Sequence, residues 1–283
     1  MKLLSGTEAS KLIKNQIKQD VEKLKLNGIV PHLVIVLNNS THASEVYVGN
    51  KCKSCNEVGI KASIVKVPEN TSKQELLNTI KQLNDDNSVH GILVQLPLAD
   101  SSSEDDIIAT INPKKDVDCF HLNNTGYLWT AKKRHDYLKP CTPAGIIELI
   151  KINNLDIEGK NVVIVNRSNI VGKPLASLFL QENATITICH SKTKNLKEVC
   201  KNADILICAI GKTNFFTNEY IGKNAIVIDV GTNRDSNNKL CGDVDVKTLI
   251  DFEGYLSPVP GGVGPMTVTM VLKNLVNLLK NTK

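Results

Sequence analysis

Apolar positions recur at helical spacing through GTEASKLIKNQIKQDVEKLKLNG and stop at Gly28; the continuous apolar run from His32 to Leu37 follows. The first pattern predicts an amphipathic helix with a glycine stop, the second a buried strand. A further helical pattern from about Ser40 to Val58 ends at Gly59, a residue type suited to the left-handed position after a helix. Then come a strand ASIVKV, a helix TSKQELLNTIKQLNDD and a strand from Gly91 to Leu96, closed by Pro97. Strands separated by helices of this length imply parallel βαβ crossovers.

The pattern breaks in LADSSSEDD and NPKKDVDCFHLNNTGYLWTAKKRHDYLKP, a polar and irregular stretch that reads as a domain junction. Alternation then restarts with a helix from Pro143, strand NVVIVN, a helix from Lys173, strand TITIC, a helix near Leu196, and strands DILICAIG and AIVIDVG. The chain finishes with the glycine-rich PVPGGVGP and a helix, MTVTMVLKNLVNLL, apolar on much of its surface. Such a helix must pack on something large, and a return to the first unit is the economical solution. The reading is therefore two α/β domains: residues 1–120 plus the C-terminal helix at about 267–283, and residues 140–266. No fixed-period repeat or low-complexity tract is present.

Composition changes this picture little. At 41% hydrophobic and 22% charged, the 283 residues suit ordinary globular domains. The charge of +5 is scattered along the chain; it gives little reason to expect nucleic acid and fits mild steering of an anionic small molecule equally well. No segment approaches the roughly 20 apolar residues that span a bilayer, so no membrane partner is expected. Eight cysteines follow no disulfide-like spacing, which reads as a reduced, cytoplasmic protein with free thiols.

Chemistry enters at VVIVNRSNIVGKPLASLFL, which runs from a strand through a turn into a helix. A dinucleotide-binding turn needs that context, because backbone N–H groups and the helix N-terminus then face a pyrophosphate. Asn166 and Ser168 stand at the first two glycine positions and only Gly172 remains, so the turn alone fits a generic α/β connection as well. The next strand ends in His190, Ser191, Lys192 and Thr193. It has no carboxylate for a ribose 2′-hydroxyl, and a cation with hydroxyls suits a 2′-phosphate. That favours NADP; a solvated loop is the plain alternative. Gly211 and Gly231 follow strands, where this fold binds ligands and where tight turns also need glycine.

In the first half, Tyr47 and Lys51 lie four apart and share a helix face. An aromatic beside an amine could stack on a flat ligand while the amine works on it; a surface lysine over a half-buried tyrosine is the alternative. Gln95 sits near the carboxyl end of an apolar strand and needs partners there. Asp118 follows Asp116 in the junction, where a turn or helix cap would also explain it. Cys52 and Cys55 form a Cys-x-x-Cys pair, but zinc needs two further ligands at a recognisable spacing, and no cysteine or histidine supplies them. No metal site is expected, and the pair reads as packing residues.

Together these stretches resemble the bifunctional methylenetetrahydrofolate dehydrogenase/cyclohydrolase family over nearly the whole chain. SEVYVGNKCKSCNEVGI, GILVQLPL, NPKKDVD, PCTPAGI, RSNIVGKPLA, CHSKT, ADILICAIGK, VIDVGTN, GDVD and PVPGGVGPMTVTM stand in the family's order and spacing. The resemblance implies a folate-binding catalytic domain and a Rossmann-like NADP domain with a folate and cofactor cleft between them. It also implies a place in one-carbon metabolism and purine biosynthesis. The implied reactions are NADP-dependent oxidation of 5,10-methylenetetrahydrofolate to the methenyl form and its hydrolysis to 10-formyltetrahydrofolate. By resemblance, Lys51 moves protons in the hydrolytic step, Tyr47 stacks on the substrate and holds Lys51, Gln95 tunes Lys51, and Asp118 holds the polar edge of the pterin. Val94, Leu96, Pro260, Gly261, Gly262 and Thr267 would line the folate. Asn166, Arg167, Ser168, Gly172, His190, Ser191 and Thr232 would hold NADP. A homodimer joined through the cofactor domains is implied as well.

Two departures stand out. The family usually has GRS where this chain has Asn166-Arg167-Ser168, and the Asn166 side chain is expected to crowd the pyrophosphate. The family also has KDVDG where this chain has Cys119, beside Asp118.

Overall fold

The alternating runs fold into two α/β units in a computed structural model that describes residues 1–39, 41–130 and 137–280. The expected helix start at Ser40, residues 131–136 of the junction and the helix end at 281–283 lie outside the described residues. In chain order the elements are β1 (Lys2–Leu3), α1 (Gly6–Leu26), β2 (His32–Leu37), α2 (His42–Glu57), β3 (Lys61–Lys66), α3 (Lys73–Asp85), β4 (Gly91–Val94), α4 (Glu104–Thr110) and α5 (Leu122–Thr130). They continue with α6 (Cys141–Ile152), β5 (Asn161–Val165), α7 (Gly172–Gln181), β6 (Thr185–Cys189), α8 (Leu196–Lys201), β7 (Ile205–Cys208) and β8 (Ile226–Asp229). Last come β9 (Asn233–Arg234), β10 (Leu240–Cys241), β11 (Tyr255–Leu256) and α9 (Val263–Lys280).

One unit comprises Leu12–Cys141 with the chain from Val268 onward. Its sheet has three parallel strands in the order β3-β2-β4. Every residue of β2 and β4 is buried, as apolar runs in a parallel sheet covered on both faces should be. Val34, Val36, Ile92 and Val94 pack with Leu76 and Ile80 of α3 and Ile107 of α4. A capping box starts α3: Ser72 Oγ accepts from Glu75 N, and the Glu75 carboxylate accepts from Ser72 N. The later part of α9 belongs here; Asn274 Nδ2 donates to Val117 O and Lys139 O, both at 2.8 Å.

The other unit comprises Met1–Lys11 and Thr142–Thr267. Its six strands, all parallel, lie in the order β1-β11-β8-β7-β5-β6. Residues 1–11 thus pack apart from the rest of the 1–120 segment with which the sequence reading grouped them. The cause is backbone pairing: Lys2 N donates to Gly254 O and Leu4 N to Leu256 O. Strands of two residues are too short to show a period, so β1 and β11 are invisible in the sequence. Helix α5 was also hidden, because Asn123, Asn124 and Gly126 are poor helix formers. Tertiary contacts override that propensity, with Asn124 Nδ2 donating to Asp116 Oδ2 at 2.9 Å.

Two histidines lie at the amino ends of β2 and β4. His32 Nδ1 lies 3.0 Å from Ser88 O and its Nε2 2.9 Å from Ser63 Oγ, whereas His90 Nδ1 is buried without a hydrogen-bond partner. Burial lowers the pKa of both, and at His90 the neighbouring His32 adds to the effect. The folded chain therefore favours both neutral, while unfolded they titrate near 6.5. Their contribution to stability is complete above that pH and fades as pH falls toward their lowered values. Asp229 acts in the opposite sense, since burial raises it to about 6. Comparing variants separates the two effects: the loss in melting temperature from pH 7.5 to 5.5 should be smaller for His32→Asn than for the parent. An equal loss would remove His32 from the account.

Candidate functional site

In the three-stranded unit β2 lies between β3 and β4, so the connections from β2 and β4 leave in different directions. The carboxyl ends of two such strands form a crevice where parallel sheets bind ligands. Helix α2 begins just beyond β2. Its N-cap is Thr41, whose hydroxyl accepts from Ser44 N at 3.3 Å. The preceding residues are pinned: Asn38 Nδ2 donates to Pro68 O at 2.8 Å, Ala99 N to Asn38 Oδ1 at 3.3 Å, and Asn39 Nδ2 to Pro97 O. These two buried asparagines tie the start of α2 to the loop after β4. Sequence reasoning passed over them, although a polar pair directly after a buried strand is a signal of loop anchoring.

One turn into α2 stands Tyr47, half-buried, and one turn further Lys51, only 8% exposed. The lysine is therefore no solvated surface group. Its Nζ donates to Gln95 Oε1 at 2.8 Å. Strand β4 ends at Val94, and Gln95 directly beyond it continues the pairing, its N donating to Val36 O at 2.9 Å. Gln95 Nε2 donates to Leu96 O at 2.8 Å, which fixes the amide with its oxygen toward the amine.

The segment 115–118 runs beside β4, with Ile92 N donating to Lys115 O at 2.7 Å and an isolated parallel bridge pairing Ile92 with Asp116. This register separates the two aspartates. Asp116 is the turn carboxylate, 1% exposed, accepting from Cys119 N (3.0 Å), His121 N (2.9 Å) and Asn124 Nδ2 (2.9 Å). Asp118 keeps some accessible surface, yet its carboxyl is crowded by protein and burial raises its pKa. The Lys51 ammonium and the Cys141 thiol pull it back down. The cap role that the sequence left open for Asp118 thus falls to Asp116. Lys51, Gln95 and Asp118 form one group, with Tyr47 on the same helix face.

Cys119 has φ of 62°, a left-handed conformation that glycine adopts freely and cysteine at a cost of about 1 kcal/mol or more. The turn forms nonetheless, held by the Cys119 N bond to Asp116 and by its Sγ donating to Leu138 O at 3.1 Å. In the Cys-x-x-Cys pair, burial raises both thiols, Cys55 to about 12. Neither is an activated thiolate. Among the described residues no group of three or more His, Cys, Asp or Glu could hold a metal ion.

In the six-stranded unit the corresponding crevice lies at the carboxyl ends of β5 and β7, since β6 and β7 flank β5 on opposite sides. Asn166 follows β5. Its side chain turns into the loop, where its Oδ1 accepts from Ser168 N (2.7 Å) and Gly172 N (3.0 Å) while its Nδ2 donates to Ala209 O. The side chain, expected to crowd a pyrophosphate, is turned into the loop instead and takes up one donor of the turn and one of the helix start. Gly172 is required by this packing, because a Cβ there would lie 2.3 Å from Asn166 O. Ser168 Oγ accepts from Val171 N at 3.1 Å, and Arg167 is exposed beside it.

After β6, Thr193 Oγ1 accepts from His190 N at 2.9 Å and His190 Nδ1 accepts from Lys192 N at 3.1 Å. These bonds fold the loop so that Ser191 and Lys192 are exposed, with no acidic residue between Cys189 and Lys194. That donor set fits a 2′-phosphate and would not suit a free ribose diol. Thr232 is exposed after β8. Pro260, Gly261, Gly262 and Thr267 also lie in this unit, unlike Lys51 and its partners. Gly261 has φ of 101° and its carbonyl accepts from Thr7 N at 3.0 Å, while Thr267 Oγ1 lies 3.0 Å from Thr142 Oγ1.

Residues 4–118 match the family model for the tetrahydrofolate dehydrogenase/cyclohydrolase catalytic domain, and residues 140–283 that for its NAD(P)-binding domain. The chain is 50% identical over 278 residues to the bifunctional protein FolD of Bacillus cytotoxicus, covering 98% of this chain and 96% of the relative. It is similar to the crystal structure of the bifunctional methylenetetrahydrofolate dehydrogenase/cyclohydrolase of Campylobacter jejuni, with 43% identity, a TM-score of 0.95 and full coverage of both chains. The dehydrogenase-cyclohydrolase of Trypanosoma brucei, solved with NADP cofactor and an inhibitor, is 32% identical with a TM-score of 0.92, over 98% of this chain and 97% of that one.

Proposed function

Because the chain belongs to the tetrahydrofolate dehydrogenase/cyclohydrolase family, we propose that it oxidises 5,10-methylenetetrahydrofolate with NADP and hydrolyses the methenyl product to 10-formyltetrahydrofolate. The observation that carries this reading is the buried Lys51 held 2.8 Å from Gln95 Oε1 beside the Asp118 carboxyl. An amine, an amide and a carboxyl at one strand-end crevice can bind a pterin edge and move protons nearby.

In the dehydrogenase step a hydride leaves the bridge carbon, and the substrate becomes the methenyl cation. NADP, when bound, supplies the hydride acceptor. The chain contributes alignment: the turn at Asn166, Arg167 and Ser168 with the Gly172 helix start would take the phosphates, and His190, Ser191 and Lys192 the 2′-phosphate. Thr232 would meet the cofactor beyond β8. In the hydrolytic step water adds to the cationic bridge carbon and gives a tetrahedral adduct. Lys51 relays protons between the adduct's oxygen and the ring nitrogen, giving one to that nitrogen as the C–N bond breaks and taking one from the hydroxyl, which leaves the formyl group on the other nitrogen with net release of one proton. Gln95 Oε1 holds the amine on this path. Tyr47 stacks on the folate, Asp118 accepts from the pterin's N–H groups, and Val94 and Leu96 complete the folate contacts of this unit.

The same reading places the protein in the cytoplasm as a homodimer. Strand β6 supports self-association through the six-stranded unit: it is an edge strand with Thr187 and Ile188 exposed and no proline or charge to block pairing. No helix among the described residues is long and apolar enough to cross a membrane. One experiment tests the function: methylenetetrahydrofolate is supplied with NADP or with NAD, and the methenyl and formyl products are followed by absorbance. NADP-dependent appearance of both supports the reading. Absence of hydride transfer with either cofactor defeats it.

A further inference from the structure

The loops after β7 and β8 close on a carboxylate of the chain itself. Asp243 has no exposed surface. Its Oδ2 accepts from Ile210 N (2.6 Å) and Gly211 N (3.0 Å), and its Oδ1 from Lys212 N (2.9 Å) and Asn233 Nδ2 (2.8 Å). Three successive N–H groups turned to one point make an anion nest, and here the anion is internal. A second buried carboxylate holds the first in place. Asp229, at the end of β8, accepts from Gly231 N, Asp243 N and Val244 N, each at 2.9 Å. Two glycines make the approach possible: a Cβ on Gly231 would lie 2.5 Å from Asp243 Oδ1, and one on Gly242 1.9 Å from Asp229 Oδ2. Asn166, by donating to Ala209 O, joins the β5 loop to the same assembly.

We propose that Asp243 is a positioning residue for the nicotinamide cofactor, locking the loops at the carboxyl ends of β7 and β8 into one rigid rim. The inference rests on the reading of this unit as the NADP site. Gly211 and Lys212 lie on one side of the rim and Thr232, next to Asn233, on the other. Both face the strand ends where this sheet type binds its ligand. Without the carboxylate, three backbone donors and an amide lose their acceptor, and the loops take up other arrangements. Binding must then order them first, which weakens the complex without touching a cofactor contact.

The test uses the full chain with Asp243→Asn and the milder Asn233→Ala, which removes only one of the four bonds. NADP affinity is measured by equilibrium dialysis, KM and kcat from turnover, folding by thermal melting, and hydrolysis of methenyltetrahydrofolate without any nicotinamide cofactor. For folded Asp243→Asn, NADP affinity should fall about tenfold and KM for NADP should rise in parallel. Asn233→Ala should show the same change at about threefold, and cofactor-free hydrolysis should stay within about twofold of the parent in both. Unchanged NADP affinity in both folded variants overturns the proposal, as does a parallel loss of NADP binding and hydrolysis in Asn233→Ala. Should Asp243→Asn not fold, the Asn233→Ala result decides. Failure of the parent itself to bind NADP would instead sink the reading of the unit.

Discussion

Lys51→Met should lower the hydrolysis of methenyltetrahydrofolate by at least about a hundredfold, the range a positioned proton-transfer group contributes. Methionine keeps an unbranched stem of similar length, so the buried space one turn beyond Tyr47 stays filled. What disappears is the amine 2.8 Å from Gln95 Oε1. Hydride transfer asks only for alignment of substrate and cofactor, so the dehydrogenase step should fall far less and the methenyl form should accumulate. The measurement is the decay of methenyl absorbance with and without NADP. Hydrolysis at the parent rate would show that the protons move through another group.

Asp118→Asn should raise KM for the folate about ten- to a hundredfold in both reactions, the scale of a lost charge-assisted hydrogen bond, and leave NADP affinity unchanged. Stability should follow a different course. Burial raises the Asp118 pKa above its ordinary value, so the ionised carboxylate opposes folding at neutral pH. The sign is that of a raised acid: the stability it gives is full below its unfolded pKa and is lost as pH rises through the folded one. The neutral asparagine should therefore melt no lower than the parent, and its melting point should vary less between pH 4 and 7. Weaker folate binding in a protein of undiminished stability would mark Asp118 as a recognition group. A drop in melting temperature with unaltered KM would move it to the structural role that Asp116 holds.

Much of this molecule was legible in the chain. Apolar runs of four to six residues between amphipathic segments implied parallel βαβ units, and the helix stop at Gly59 was written in local chemistry. Local signals work where one residue type satisfies one backbone need, and they thin out where the partner is remote. The pair Tyr47 and Lys51 illustrates the limit. Spacing placed both on one side of α2, but the same spacing describes many surface pairs. Burial of Lys51 and its bond to Gln95, 44 positions away, exist only once β2 and β4 lie side by side.

Asp116 and Asp118 show the same division more sharply. In the sequence they are equivalent carboxylates two apart, so either could cap a turn. The register of their segment beside β4 assigns Asp116 to three backbone and amide donors and leaves Asp118 with Lys51. Asn166 likewise looked like an obstacle to a cofactor until the loop geometry turned its amide inward. The chain by itself determined the types of its longer periodic elements, the ordered motifs and the family they mark, because those depend on residue identity and period. Tertiary structure alone decided which of two aspartates faces the lysine, where Asn166 points, and that the first eleven residues serve the other sheet. Those choices follow from register and from contacts between residues far apart in sequence, which no local pattern encodes.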